Sequence, residues 1–172
     1  GLATSSDSDR DGRIGVGWRL IAENLDSRAS GEIRLSDQSS PDGVTLNIST
    51  RSLARLTGQA LGGPAAYRGV FRGNTAEWRM NGSVDLIGAE VSSYRTQRIR
   101  GPLNVQVRRG RMDIDGDIQA VGGASAGIIG SMLGATPRLV FEAFRQADGA
   151  ILLERVSLTG QALTVTGTGG RN

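Results

Sequence analysis

The 172-residue chain contains no cysteine and no histidine, and its 20 basic residues are all arginine, so it has no lysine either. Without cysteine there are no disulfides, thiol nucleophiles or thiolate metal sites, and without histidine there is no imidazole base or ligand. The absence of lysine removes Schiff-base and Ser–Lys chemistry. Because most enzyme classes are excluded in this way, we expect a protein that is not an enzyme and carries no cofactor.

Aromatic residues are also few, seven in all, whereas glycine is abundant at 26 residues. Any core or groove must therefore consist mainly of valine, isoleucine, leucine and alanine. With so few rings to stack against a sugar, a carboxylate pair such as Glu142 and Glu154 is not expected to hydrolyse glycosides. Apolar residues at 38% and charged residues at 22% are typical of neither a disordered nor a membrane-embedded chain.

Charge of one sign is not concentrated anywhere, and the formal net charge is only +3. Nucleic-acid-binding proteins usually gather basic residues on one face and add stacking aromatic rings. We therefore interpret the densest basic cluster as a solvated sheet face and expect no nucleic-acid partner. That cluster comprises Arg95, Arg98, Arg100, Arg108, Arg109 and Arg111.

A strict two-residue alternation of apolar and polar side chains is the strongest pattern in the chain. Between Ala76 and Leu86, apolar residues and Gly82 occupy one parity and charged or polar residues occupy the other. Successive side chains of a strand point to opposite faces, so this segment is predicted to be a strand with one apolar face. Similar segments joined by short glycine, asparagine and aspartate turns, such as 108–110 and 146–149, predict an all-β chain of ten to thirteen strands.

Two segments lack the alternation and predict short helices. Residues 51–61 have helical spacing, with Thr50 as the expected N-cap and Gly62 after the end. Residues 124–133 form the second predicted helix, which lies within an uncharged stretch. Its glycines make a membrane span a poor interpretation. We expect this helix instead to pack its apolar side on the apolar face of the sheet, through Ile128, Ile129, Met132 and Leu133.

Two groups of acidic residues have some features of a metal site. Residues 7–14 match most of a calcium loop, but Trp18 stands where the bidentate glutamate is needed. Asp113, Asp115 and Asp117 share a strand face at a spacing of about 7 Å, which is long for one ion. We interpret the first group as part of a mobile terminus, residues 1–12, and the second as a solvated charge ladder, and we expect no metal.

The C-terminal third resembles a known family. Residues 130–139 (GSMLGATPRL) end a small helix in a Leu-Gly step and continue as a Pro-Arg-apolar strand, and residues 147–167 return through a glycine turn to a Leu-x-Gly strand. This layout is similar to that of the TamB family, the inner-membrane component of the translocation and assembly module of Gram-negative bacteria, within the AsmA-like and bridge-like lipid transfer group. The resemblance covers residues 14–170.

The TamB resemblance implies a long curved antiparallel sheet folded into an open apolar trough, a β-taco-like arrangement. It implies a periplasmic location in the cell envelope and an inner-membrane anchor outside this chain, so that residues 1–172 are one β-rich segment of a longer repeat protein. The implied partners are phospholipid acyl chains carried between the inner and outer membranes, and an outer-membrane barrel protein whose assembly is assisted.

The apolar parity of the predicted strands supplies the expected lipid groove. Its residues are Val16, Trp18, Leu46, Ile48, Trp78, Met80, Val84, Leu86, Leu103, Val105, Val107, Met112, Ile114, Ile118, Leu139, Phe141, Val156, Leu158, Leu163 and Val165. Periodicity by itself does not decide what covers this face. A second sheet would give a closed β-sandwich interaction module, which ranks first on the residues alone. An open edge strand offered to a barrel protein is a further alternative.

Overall fold

Eleven β-strands form the described part of the chain, together with two short helices. The computed structural model describes residues 3–5, 12–57, 62–91 and 93–171. The strands are β1 (Ala3–Ser5), β2 (Arg13–Ala22), β3 (Leu25–Arg34), β4 (Ser40–Thr50), β5 (Ala65–Gly73), β6 (Trp78–Val91), β7 (Tyr94–Arg108), β8 (Arg111–Val121), β9 (Arg138–Arg145), β10 (Ile151–Thr159) and β11 (Thr164–Arg171). The prediction of an all-β chain with two short helices is confirmed.

The strands form one open antiparallel sheet in which the spatial order is the order along the chain. Each strand from β2 to β10 pairs with its predecessor and its successor, and no second sheet covers either face within the described residues. The closed β-sandwich therefore does not describe the architecture of this part of the chain. The meander arises because most connections are short turns that bring the next strand back beside the last one, and the two longer connections, which contain the helices, also return to the adjacent position.

The β7–β8 hairpin shows how local sequence sets the pairing. Arg109 and Gly110 both have positive φ, at 50° and 79°, as a two-residue type I′ turn requires. The turn brings Arg108 opposite Arg111, and from there Val105 pairs with Ile114. The register therefore follows from the turn, as the alternation on its two sides predicts.

Helix α1 (Leu53–Thr57) follows β4 and has a different N-cap from the predicted one. The Ser52 hydroxyl oxygen accepts a hydrogen bond from the backbone N–H of Arg55 at 3.3 Å. Arg55 is the third helical residue, so Ser52 is the N-cap, and the prediction of Thr50 was wrong. Thr50 instead bonds the backbone N–H of Ser52 at 3.2 Å. The predicted continuation over residues 58–61 lies outside the described residues.

Helix α2 (Gly127–Leu133) lies between β8 and β9 and begins three residues later than predicted. Its last turn joins the β10–β11 turn, because the carbonyls of Met132 and Leu133 accept from the N–H groups of Ala162 and Gln161. Its apolar side does not pack on the sheet as predicted: Ile128 is 75% exposed and no residue of the helix is buried. The backbone bonds hold α2 at the end of the strands, so of the four apolar side chains predicted to pack, only Met132 and Leu133 are half-buried.

Both helices lie at the same end of the sheet, which we call the helical end. It is the end where β2 turns into β3, since the Asn24 side-chain N–H donates to the carbonyl of Ser52, just before α1, at 2.8 Å. It is also the end of the β6–β7 hairpin, where the Tyr94 hydroxyl donates to the carbonyl of Gly134, just after α2, at 2.7 Å. No helix among the described residues is long and apolar enough to cross a membrane.

Candidate functional site

The pairing register places the predicted groove residues on one face of the sheet, which we call the apolar face. One row of directly opposed residues runs across ten strands: Trp18, Ala29, Leu46, Gly69, Gly82, Leu103, Gly116, Phe141, Val156 and Gly167. Directly opposed residues point to the same side, so each such row extends the same face. Of the twenty predicted residues, only Leu163 lies outside a strand, in the turn before β11.

The apolar face is not covered by the described residues. The side chains of the predicted groove residues are half-buried, apart from Val165, which is 46% exposed. The buried apolar side chains are other ones: Ala29, Val44, Ala89, Tyr94, Ala120 and Phe144. Lateral contact with the neighbouring strands shields each groove side chain partly, and nothing in the described part of the chain closes the face from above.

The total accessible surface agrees with a single layer. A compact monomer of this mass would expose about 8,000 Å². This chain of 18.0 kDa exposes 11042 Å². A sheet whose two faces are both open exposes more surface than two layers packed on a common core, so the excess is consistent with an uncovered apolar face.

Two aromatic residues of the apolar face, Tyr67 and Phe71, were missed by sequence reasoning. Phe71 lies beside Trp78, with ring centroids 5.6 Å apart. The Tyr67 ring lies over the opposed Gly69 and Gly82, where an added Cβ would meet it, and partial burial raises the pKa of its hydroxyl. The parity of these residues was available in the sequence, but apolar residues such as Val70 fall on the opposite parity of β5 and obscure it.

The other face, which we call the charged face, consists of ion pairs between neighbouring strands. The Arg98 Nε donates to Asp85 at 2.7 Å and the Arg138 Nε donates to Asp117 at 2.6 Å. Hydrogen bonds from these guanidinium groups are the main reason why the pKa of Asp85 and of Asp117 is held below the usual value. Exposed side chains in such pairs orient one another and remain in contact with water.

The aspartates 113, 115 and 117 do not converge on a common point. Arg111 Nε donates to Asp113 at 2.6 Å, and the Asn104 amide donates to Asp115 at 2.8 Å, while Asp117 bonds Arg138. This arrangement agrees with the sequence interpretation of a solvated charge ladder. In the described residues no group of acidic side chains could hold a metal ion. Of the calcium-like segment 7–14, residues 7–11 lie outside the described residues.

The remaining charged candidates are also paired across strands. Glu142 bonds Arg155, and Glu154 lies 3.7 Å from Arg111. Arg111 also lies 3.7 Å above the ring of Phe144, an aromatic residue that the alternation places on the charged face. The guanidinium group covers that ring, which explains how Phe144 is buried without a second layer.

The strand β11 lies at one edge of the sheet within the described residues, where its pairing partner is β10. Its residues 164–170 are exposed and consist of threonine, valine and glycine, without a charge or a proline. Such an edge presents unpaired backbone N–H and C=O groups and lacks the charged or proline residues that usually protect an edge strand.

Comparison with known proteins gives no identification. The chain matches no family profile, and no curated protein and no solved structure is significantly similar to it.

Proposed function

We propose that the apolar face binds phospholipid acyl chains, and that the chain is a segment of a periplasmic TamB-like protein that carries lipids between the inner and outer membranes. The observation that carries the proposal is the single-layered sheet whose apolar face is continuous across ten strands and uncovered by the described residues. Acyl chains offer a flexible apolar surface and no polar groups, which matches a face built from Val, Ile, Leu and Met.

The size of the face suits a lipid better than a small cofactor. Neighbouring strands lie about 4.8 Å apart, so ten strands extend over roughly 43 Å. Ligand pockets for small molecules are enclosed and contain a few converging polar groups. The apolar face has neither feature, and its repeating rows offer equivalent positions along which a chain can slide.

The proposal includes curvature of the sheet into a trough around the bound chains. Glycines recur in the opposed rows of the apolar face, as at Gly69, Gly82 and Gly116. Glycine at these positions lets a neighbouring ring lie close to the backbone, as Tyr67 does over Gly69 and Gly82, so fewer side chains have to be compressed when the strands bend there.

Site-specific photocrosslinking tests the proposal directly. Val105 and Ile114 are paired on the apolar face, and the adjacent residues Gln106 and Asp113 are paired on the charged face. We expect a photoreactive amino acid at either of the first two positions to give adducts with phospholipid in the cell envelope. The same probe at Gln106 or Asp113 is the matched control and is expected to give none.

Two outcomes would contradict the lipid proposal. Equal lipid adducts from both faces would mean that the reagent samples bulk membrane rather than a bound lipid. Protein adducts without lipid at Val105 and Ile114 would mean that another polypeptide covers the face, which would favour the interaction-module alternative.

A second candidate function, assistance of outer-membrane protein assembly, is suggested by β11, whose outer side has no strand partner within the described residues. Its unpaired backbone groups could add a strand of a barrel protein. The substitution Thr166→Pro tests this proposal. Proline cannot donate a hydrogen bond, so the substitution would block strand addition if the N–H of Thr166 faces outward. Reduced barrel assembly, with lipid adducts at Val105 retained, would support a separate function of the edge.

A further inference from the structure

A cleft of about 690 Å³ opens on the charged face, over strands β5 to β9. At its floor the β7–β8 ladder is interrupted: Leu103 pairs with Gly116 and Arg100 with Gln119, without a pair between them. The two residues that are skipped on β7 are Gly101 and Pro102. Proline has no N–H to donate, so it is normally excluded from a central strand unless the strand is locally distorted.

Gly101 is required by the same distortion. Its φ is +155°, and an added Cβ would collide with the carbonyl oxygen of Asp117 on β8. A Gly-Pro step in the middle of a wide sheet costs ladder hydrogen bonds without improving the packing. Such a departure from regular structure is frequently found where a ligand approaches the backbone.

The carboxylates at this cleft are already satisfied. Asp85 receives two hydrogen bonds from Arg98, and Asp117 receives two from Arg138. Bidentate arginine–carboxylate pairs of this kind are among the strongest that proteins form, so both negative charges are locally balanced.

Two further guanidinium groups at the cleft are not balanced in this way. Arg68 and Arg100 line it, and within the described part of the chain neither forms an ion pair or a side-chain hydrogen bond. Ser83, which also lines the cleft, lies directly opposite Arg68. Strands β5 and β7 are two spacings apart, about 10 Å, and Arg100 lies opposite Asp85, two residues along β6 from Ser83, so the two long side chains can converge diagonally on a ligand above β6.

We propose that this cleft binds a phosphate-type oxyanion, held by the guanidinium groups of Arg68 and Arg100 and by the hydroxyl of Ser83. The planar fork of donors on each guanidinium matches two oxygens of a phosphate. The site lies on the opposite face of the sheet from the proposed acyl-chain site. It is therefore independent of the proposed function, and a lipid held by its chains on the apolar face does not fill it.

Titration of the full chain with inorganic phosphate tests the proposal, by calorimetry and by the backbone amide shifts of Ser83 and Gln119. We expect saturable binding that Arg68→Gln and Arg100→Gln each weaken about tenfold or more, because each removes a charge-assisted contact. Arg100→Lys, which keeps the charge and loses the fork, should bind with intermediate affinity. The matched control is Arg79→Gln, an exposed arginine of the same face outside the cleft, which should bind like the unaltered chain.

Vesicles distinguish the two sources of a phosphate group. Cosedimentation with phosphatidylcholine vesicles that contain phosphatidic acid, lost in Arg100→Gln, would identify a lipid headgroup. Phosphate binding without cosedimentation would identify a free phosphate. Either result supports the oxyanion site whether or not acyl chains bind the other face. No saturable binding of either probe, or equal weakening by Arg79→Gln in a chain with unchanged circular dichroism, would overturn it.

Discussion

The two faces of this sheet are built from the same strands and differ in how their side chains are satisfied. On the charged face, polar groups find partners on the next strand, as Asp85 does with Arg98 and Asp117 with Arg138. On the apolar face, side chains such as Val105 and Ile114 touch their neighbours and remain half-buried. Many charged side chains of the charged face find partners on neighbouring strands, with Arg68 and Arg100 at the cleft and the opposed Arg72 and Arg79 as exceptions, whereas no second layer covers the apolar face within the described residues.

This difference indicates which interactions stabilise the sheet. Exposed ion pairs contribute little each, because water and salt screen them. Apolar area removed from water contributes more, so lateral packing on the apolar face and the backbone ladder carry most of the stability. The surface left uncovered on that face remains available for a partner, and the following predictions test the contrast in order of expected size.

The largest effect is expected from truncating an aromatic residue of the apolar face. Trp78→Ala removes the ring that lies 5.6 Å from Phe71 and should lower the free energy of unfolding by about 2–3 kcal/mol, below the value for a fully buried ring. The adjacent Arg79→Ala, on the charged face, should change it by less than about 0.5 kcal/mol. Urea unfolding followed by circular dichroism measures both, and equal effects would contradict the contrast between the faces.

A charge placed on the apolar face should be tolerated. Ile114→Arg loses half-buried apolar area but lets its guanidinium reach water, so we expect a loss of about 1–2 kcal/mol and a folded protein. Ile114→Leu is the control that keeps the volume and should cost less. A sealed core would bury an unpaired charge and unfold the chain. An unfolded Ile114→Arg variant, with Ile114→Leu folded, would therefore refute the open face.

A smaller change, in this case a gain in stability, is expected from a charge reversal on the charged face where two arginines are directly opposed. Arg72 faces Arg79, and neither has an acidic partner within the described strands. In each of the other opposed arginine pairs, at least one member forms an ion pair with an acidic residue. These opposed pairs are Arg13 and Arg34, Arg19 and Arg28, and Arg108 and Arg111. Arg79→Glu should raise the free energy of unfolding by about 0.2–1 kcal/mol at low salt. The gain should shrink at high salt, and its persistence there would exclude an electrostatic cause.

The smallest change in the free energy of unfolding is expected from lowering the pH. Arg98 and Arg138 lower the folded-state pKa of Asp85 and Asp117 below the usual 3.8. The contribution of these two ion pairs to folding stability is therefore fully present well above pH 3.8. It is lost as the pH falls below 3.8 through the lowered pKa values of the folded state. Asp85→Asn with Asp117→Asn should flatten this part of the stability–pH curve measured by urea unfolding. An unchanged slope would show that the pairs do not contribute.

Some features of the site were predictable and others were not, for local reasons. The parity of Val105 and Ile114 was readable because both residues stand in clear alternation. Tyr67 was missed because β5 has apolar residues on both parities. The packing of Ile128 was predicted wrongly, because helical spacing shows which side of a helix is apolar and not where the helix lies.

The sequence by itself determined the strands, their turns and the division into two faces. These are local properties, since side chains alternate along every strand and a two-residue turn sets its own register. Only the tertiary structure decided that the strands form one open layer, that both helices lie at one end, and that Gly101 and Pro102 open a cleft beside Arg68 and Arg100. Those features depend on contacts between residues distant in the chain, which no local pattern encodes.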